Sequence, residues 1–477
     1  QNGVIPLSSN PGSLAVVYLD FDGEKGPHTG WNNVDAASFN LSNSQIKDLW
    51  ARTAEEFAPF NINVTTDLQV YLDAPQNSRQ RCIITPTSSV FSGSAGGVAY
   101  VNGFNSSGDT PCWCFYTGNA GALVIAHEVG HTLGLSHDGT SSRGYYGGHG
   151  TTEGSWGPIM GAPYGSAITH WSKGEYADAN QWQNDLIIID QKNNVELRPD
   201  DHGDSLPSAS TLEVFSDDSV SNQGIIGSDE DLDGFKFTLT ATSSVSLTVT
   251  GASPGPNLNI LAEIVDSAGT VIASENPENS LNATVAANLA EGEYFLRISG
   301  EGFGDPLGAG FSSYGSLGFY QVSGSVPNAI QPDRFSVAEN SLSNTTIGTI
   351  TPRNPHVNPV TYSISEGNSS GAFDIDAATG TLSVADSAPF DYEALSSYYE
   401  ESAELELFVD INNPTFPDLN ETVRVVVSIT DLNEAPVMTL KSNVSLLERT
   451  LIGHPLLAPS SADPDAYDLA PTWSISS

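Results

Sequence analysis

Residues 127–138 read HEVGHTLGLSHD, which restricts this part of the chain to folds where a helix breaks sharply beside a gap the size of a metal ion. His127 and His131 stand four apart, so on a helix they project from one face and can share an ion. Glu128 sits beside the coordination position that the imidazoles leave open. Gly134 ends the helix, because glycine takes the left-handed backbone conformation without steric cost. The chain then turns and brings His137 in from another direction. Three nitrogen ligands and one open position are the arrangement of a catalytic zinc, whereas a structural zinc is normally closed by four Cys or His ligands. The chain has only nine histidines, and chance assembly of this pattern in such a chain is on the order of one in a hundred thousand.

The pattern H-E-x-x-H-x-x-G-x-x-H, with Met160 following in SWGPIMGAPYG, resembles the metzincin clan of zinc endopeptidases. The resemblance spans about residues 14 to 190. Asp138 after the last histidine, and GGVAYVNGF upstream of the helix, are most similar to the reprolysin (adamalysin) branch. It implies that His127, His131 and His137 hold Zn2+ and that Met160 lies beneath them as an apolar floor. It also implies that Glu128 acts as general base on a zinc-activated water, so that peptide bonds are hydrolysed without a covalent intermediate. Astacins and serralysins carry a tyrosine two residues after the turn methionine. Here Tyr164 comes four residues after Met160, with Pro163 between. It is therefore not assigned as a ligand, and is either a transition-state donor or a wall of the substrate pocket. The run Gly96 to Val101 alternates as a strand. Gly97, Val98, Ala99 and Tyr100 are the expected sheet edge on which an extended substrate adds as one more strand.

Around the motif the sequence predicts a compact α/β domain over 1–195. Leu14 to Phe21 reads as a buried strand, and residues 44–58 as a helix with Ile46, Leu49, Trp50, Thr53, Ala54 and Phe57 on one face. Ile62 and Val64, and RCIIT at 81–85, give further strands. The metal helix should begin near Ala120 with Asn119 as its cap. Ser172 and Glu175 should form a capping box for a last helix reaching about Gln191. His149 and His170 read as surface or loop residues. Of Cys82, Cys112 and Cys114, the second and third are too close for an easy bridge. Cys82 paired with one of them is expected, with three buried thiols as the alternative.

Beyond a polar linker at 196–209 the texture changes to short alternating strands. Residues 210–328 contain LDGFKFTLTA, SVSLTVTG and EGEYFLRISG, which are similar to pre-peptidase C-terminal sandwich modules. Asp229, Asp231 and Asp233 read there as an acidic turn, with calcium binding as the alternative. From 329 to 436 the order FSVAENS, GAFDIDAATGTLSVAD, FDYEAL and VVVSITDLNEAPV resembles a cadherin repeat, and 437–477 resembles the truncated start of a second. This resemblance implies one Ca2+ site between repeats, built from Glu339, Asp391, Glu393, Asp431, Asn433, Glu434, Asp463 and Asp465. An all-oxygen set of this size suits calcium. The fold class is thus a multidomain chain, an α/β metzincin domain followed by all-β sandwiches.

With 57 acidic and 16 basic residues the net charge is −41, which repels nucleic acid and anionic lipid. No apolar run is long enough to span a membrane. The chain starts at Gln1, from which removal of a signal and a propeptide is expected. Ser, Thr, Asn and Gly abundance with few lysines indicates a secreted bacterial protein. The expected function is a monomeric extracellular zinc endopeptidase acting on extended protein segments, with β modules that hold it to a matrix or cell-surface polymer. Two other readings stay open: a calcium-dependent adhesion protein with an inactive metzincin domain, and a processing enzyme for one partner protein.

Overall fold

The computed structural model describes all residues except 1–3, 29, 92, 94, 151–153, 193, 353–358, 388, 396–402, 433–436, 440–459 and 463–477. It divides into two compact units, Gln1–Gln331 and Pro332–Ser477. In the first unit strands β1 (Ala15–Asp20), β4 (Ile62–Thr65), β5 (Arg79–Ile84), β6 (Gly97–Val98) and β7 (Cys112–Cys114) form a sheet in the order β4-β1-β5-β7-β6. Its members run parallel except β6, which pairs antiparallel with β7 at the edge. A hairpin of β2 (Glu24–His28) and β3 (Trp31–Ala36) lies between β1 and the first helix in the chain. All six residues of β1 and all four of β4 are buried, as expected of strands covered on both faces. Helix α1 (Asn43–Glu56) starts with a capping box between Ser42 and Gln45 and buries Ile46, Leu49, Trp50, Thr53 and Ala54. A short helix α2 (Leu68–Asp73) follows β4. Helix α3 (Gly118–Thr132) packs against α1.

Some local expectations differ from the structure. Helix α3 starts after Thr117, two residues earlier than predicted, and no side chain caps it. The last helix, α4, is only Asp185–Asp190, capped by Asn184. Ser172 opens no helix: its amide donates to Asp185, 2.8 Å away, so the carboxylate folds the preceding segment as a loop. The substrate-edge strand contains Gly97 and Val98 but not Ala99 or Tyr100. The three cysteines are free and buried. Cys82 and Cys112 are register partners on parallel strands, so the sheet holds in place the pair that the expected bridge would have joined.

The second half of this unit is a sandwich of two sheets. One has the order β10 (Ser210–Thr211), β12 (Leu232–Leu239), β17 (Gly292–Gly300), β14 (Ile260–Asp266) and β15 (Val271–Glu275). The other runs β11 (Ser219–Ile226), β18 (Gly318–Ser325), β13 (Ser243–Gly251) and β16 (Ala283–Leu289). Strand β13 places Val245, Leu247 and Val249 inside by simple alternation. In the other unit β19 (Asp333–Ala338) lies parallel to β25 (Glu421–Thr430), which pairs antiparallel with β24 (Ala403–Asn412). Val409, Ile411, Val425 and Val427 are in its core.

The α/β half and the sandwich of the first unit meet through buried polar groups. Glu55, 2 % exposed, accepts from the Phe319 amide of β18. Glu56 accepts from Thr169 at 2.6 Å and from Asn257 at 3.0 Å. The Asn257 carbonyl lies 2.8 Å from His170 Nε2, and Trp156 Nε1 donates to the other His170 nitrogen. His149 Nε2 faces the Gly310 carbonyl. Of the two histidines expected on the surface or in loops, His149 lies outside the named strands, whereas His170 ends a strand and is buried. Burial pushes both Glu55 and Glu56 up to about 8, so each carries a proton in the folded state at neutral pH and loses it on unfolding. A raised acid stabilises fully below its unfolded value and loses that contribution as pH rises through its folded value. Between about pH 4.5 and 8 the stability of this unit should therefore fall with pH, by up to about 1.4 kcal/mol per pH unit for each acid. Chemical denaturation at several pH values should show a shallower slope for Glu55→Gln than for the wild type.

Candidate active site

Helix α3 is buried from Gly121 to Thr132, so its histidines point into protein rather than solvent. It closes in a Schellman turn: the Gly134 amide donates to His131 O at 2.9 Å and the Leu135 amide to Gly130 O at 3.0 Å. Gly134 has φ +102°, and a Cβ there would lie 2.7 Å from Asn102 Oδ1 and 2.8 Å from Lys192 Nζ. The turn swings His137 back to the helix face, where its Nε2 is 2.9 Å from His131 Nε2.

Two of the other ring nitrogens are engaged. His127 Nδ1 lies 2.8 Å from the Ile159 carbonyl and His131 Nδ1 2.9 Å from the Leu135 carbonyl. A carbonyl only accepts, so each Nδ1 carries the proton and each Nε2 keeps its lone pair. One nitrogen from each of the three rings lies within 4.8 Å of the others. Burial lowers His127 to about 3 and His137 to about 4, with the neighbouring imidazole adding to the effect, and it lowers His131 as well. The rings are thus neutral at physiological pH, the form a metal needs. This donor set fits zinc.

Met160 is fully buried, and a Cβ on Gly130 would come within 2.6 Å of its Sδ. The methionine thus packs against the helix at Gly130, and its carbonyl accepts from the Asp138 amide at 2.9 Å. Glu128 is 6 % exposed, and burial alone pushes it up to about 8. Strand β6 crosses directly over it. A Cβ on Gly97 would be 2.6 Å from Glu128 Cγ and 2.5 Å from the Trp113 carbonyl, so only glycine lets the edge strand pass so close. The pair Gly96–Gly97 inside a strand pattern is the sequence signal for such an approach.

Tyr164 is 50 % exposed, with its hydroxyl near Gly96 and its ring 6.1 Å from that of Tyr116. Tyr145 was not singled out from the sequence, yet its ring is 4.2 Å from that of His137 and 6.2 Å from that of His127. Only the turn after His137 brings it there, and no spacing rule announces it. Val98 lies on β6, whereas Ala99 and Tyr100 continue beyond the strand. The Tyr100 hydroxyl donates to Gly30 O at 2.6 Å.

In the other unit, buried Glu339 accepts from the Tyr392 amide at 2.9 Å and the Leu432 amide at 2.6 Å. Its carboxylate therefore joins the two segments carrying Asp391 and Asp431. The side chain of Glu393, together with Asn433, Glu434, Asp463 and Asp465, lies outside the described residues.

Residues 32–172 match the profile of metallo-peptidase family M12. Residues 333–430 match that of the cadherin domain. The chain is thus similar to M12 metallopeptidases over its first segment and to cadherin domains over its second. No curated protein matches it. Among solved structures, human protocadherin-24 EC1-2 is similar at 19 % identity over 28 % of this chain and 58 % of that one, with a TM-score of 0.22. Drosophila N-cadherin EC1-4 is similar at 17 % identity over 34 % of this chain and 46 % of that one, with a TM-score of 0.22. The pre-peptidase C-terminal domain of a Bacillus anthracis collagenase is similar at 12 % identity over 26 % of this chain and 95 % of that one, with a TM-score of 0.18. The chain thus spans little more than half of the first of these.

Gly134→Ala places a side chain in a left-handed turn against two polar atoms. It should cost at least about 1 kcal/mol and weaken zinc binding, because His137 moves with the turn. Gly144, around which a Cβ meets nothing within 4 Å, is the control: Gly144→Ala should leave melting temperature and zinc affinity unchanged.

Proposed function

We propose that this chain is a secreted zinc endopeptidase that cuts extended protein segments. The observation that carries the reading is the convergence of three neutral imidazoles, with one ring nitrogen from each within 4.8 Å of the others, beside a buried glutamate under the edge strand. His127, His131 and His137 would hold the ion. Bound zinc would supply a Lewis acid and lower the pKa of a coordinated water to roughly 7. Glu128 is the proton carrier, taking a proton from the attacking water and passing it to the leaving amine. Its depth keeps bulk water from competing for that proton. Strand β6 presents an unpaired backbone edge to which a substrate adds as an antiparallel strand, which excludes helical targets and favours unfolded ones. Tyr145 and Tyr164 border the same cleft and orient what lies in it.

The β modules serve as positioning elements on a matrix or cell-surface polymer, with the whole acting as an extracellular monomer. In the cadherin domain, Glu339 with Asp391 and Asp431 is the start of a calcium site, completed by Glu393, Asn433, Glu434, Asp463 and Asp465. The proposed division is 1–195 for the protease, 196–209 for the linker, 210–328 for the sandwich, 329–436 for the cadherin repeat and 437–477 for the start of a second.

Casein cleavage by the zinc-loaded protein tests the reading. Activity should disappear with a zinc chelator and return with zinc. Glu128→Ala should bind zinc normally yet lower kcat/KM by about 10²–10⁴-fold. A zinc-loaded wild type with no activity on casein would instead favour a processing enzyme for one partner, or an adhesion protein with an inactive protease domain.

A further inference from the structure

The third histidine is held differently from the other two. His127 Nδ1 and His131 Nδ1 each donate to a backbone carbonyl, which fixes the plane of each ring. His137 meets His131 through Nε2, and among the described residues no carbonyl or side chain takes a hydrogen bond from its Nδ1. A half-buried imidazole without that bond turns about its Cβ–Cγ bond unless something packs on its face. Tyr145 is what packs there: its ring centre lies 4.2 Å from that of His137, with the planes 40° apart.

Tyr145 itself is 48 % exposed, and its backbone is placed by the next residue. The Tyr146 amide donates to the Asp138 carbonyl and the Ala162 amide donates to the Tyr146 carbonyl, both at 2.7 Å. This wedges the segment between the residue after His137 and the turn after Met160. The Tyr146 ring stacks on that of Tyr176 at 4.3 Å and 11°, and the Tyr146 hydroxyl lies 2.7 Å from His149 Nδ1. The other His149 nitrogen is 2.5 Å from the Gly310 carbonyl. A carbonyl only accepts, so Nε2 carries the proton and Nδ1 accepts from the tyrosine. Hydrogen bonds thus run unbroken from Gly310 of the sandwich to Tyr146.

Gly310 sits in a loop of the sandwich, 301–312, that presses against the peptidase half. Phe303 and Phe311 exchange backbone hydrogen bonds of 2.8 Å at its base. Phe311 packs with Trp156, Ile168 and Tyr176, with Tyr146 against them, and the Ser312 hydroxyl donates to Glu175 at 2.5 Å. We infer that Tyr145 is a positioning residue for His137, and that the sandwich keeps it in place through this loop, His149 and Tyr146, an inference that rests on the three imidazoles holding zinc. The β module is then a working part of the zinc site as well as an appended anchor. Displacing its loop frees Tyr145, and with it the one ligand ring that no backbone carbonyl fixes.

Two measurements on the full chain test the link without a proteolysis assay: zinc affinity by competition with a chromophoric chelator, and visible absorption of the cobalt-substituted protein, which follows ligand geometry. Tyr145→Ala should raise the zinc Kd by about tenfold and shift the cobalt spectrum, whereas Tyr145→Phe, which keeps the ring, should behave as the wild type. His149→Ala should raise Kd in the same direction by about threefold, and His149→Gln, whose amide still offers a donor to the Gly310 carbonyl, should restore it. Leu307→Ala, at an exposed position of the same loop, is the control and should change neither. Melting temperatures of the zinc-free proteins separate loss of fold from loss of positioning, since a variant that is merely destabilised melts lower yet gives the wild-type cobalt spectrum once loaded. The inference is overturned if Tyr145→Ala keeps the wild-type Kd and spectrum, if Tyr145→Phe is as impaired as Tyr145→Ala, or if His149→Ala leaves zinc binding unchanged. A wild type that binds no zinc overturns the proposed function along with it, whereas a zinc-binding wild type indifferent to these substitutions overturns this inference alone.

Discussion

The peptidase half depends on the burial of helix α3. A helix covered on nearly every side can present imidazoles only as neutral rings, because a buried charged ring would have to shed its hydration without return. The carbonyls of Ile159 and Leu135 take up the Nδ1 protons and so choose the tautomer and the ring plane. Backbone groups thereby fix which nitrogen His127 and His131 leave as the acceptor. The close packing of Met160 under Gly130 and of Gly97 over Glu128 follows from the same constraint, since the helix must be approached from below by a thioether and from above by bare backbone.

The second constraint concerns how the halves of the first unit are joined. Their contact combines an apolar cluster, in which Trp156, Ile168 and Tyr176 pack with Phe311, with buried polar groups. Glu55 and Glu56 at the end of α1 meet the sandwich backbone and Asn257, and His170, the last residue of β9 (Ile168–His170), which pairs with β8 (Trp156–Pro158), meets the Asn257 carbonyl. Buried polar contacts of this kind are directional. They define one relative placement of the halves where an apolar contact would tolerate several, and they do so by using carboxyl groups as neutral hydrogen-bond partners. The turn that carries Met160 thus rests on the sandwich through its flanking strands, which links the floor of the histidine site to a module remote in sequence.

Much of the site was legible before any coordinates. The four-residue spacing of His127 and His131, Glu128 between them and the glycine at 134 are local rules of helix geometry, and they hold because the helix is regular. The length and face of α1 were legible for the same reason. The last helix was misread because Asp185 captures the Ser172 amide, a contact across 13 residues that outweighs a capping pattern. The bridge expected at Cys82 did not form part of the structure because strand register places Cys82 and Cys112 as neighbours that remain thiols.

What the sequence determined by itself is the local spacing that brings His127, His131 and His137 together after one helix and its turn, and that β modules follow. These depend on residue type and on spacings shorter than a few helical turns. Tertiary structure alone decided which groups meet across long separations: Tyr145 against His137, His170 against Asn257, His149 against Gly310. Periodicity carries no information about such pairs, because their proximity depends on how whole elements pack, and the free energy that settles packing is spread over the entire core rather than written in any one segment.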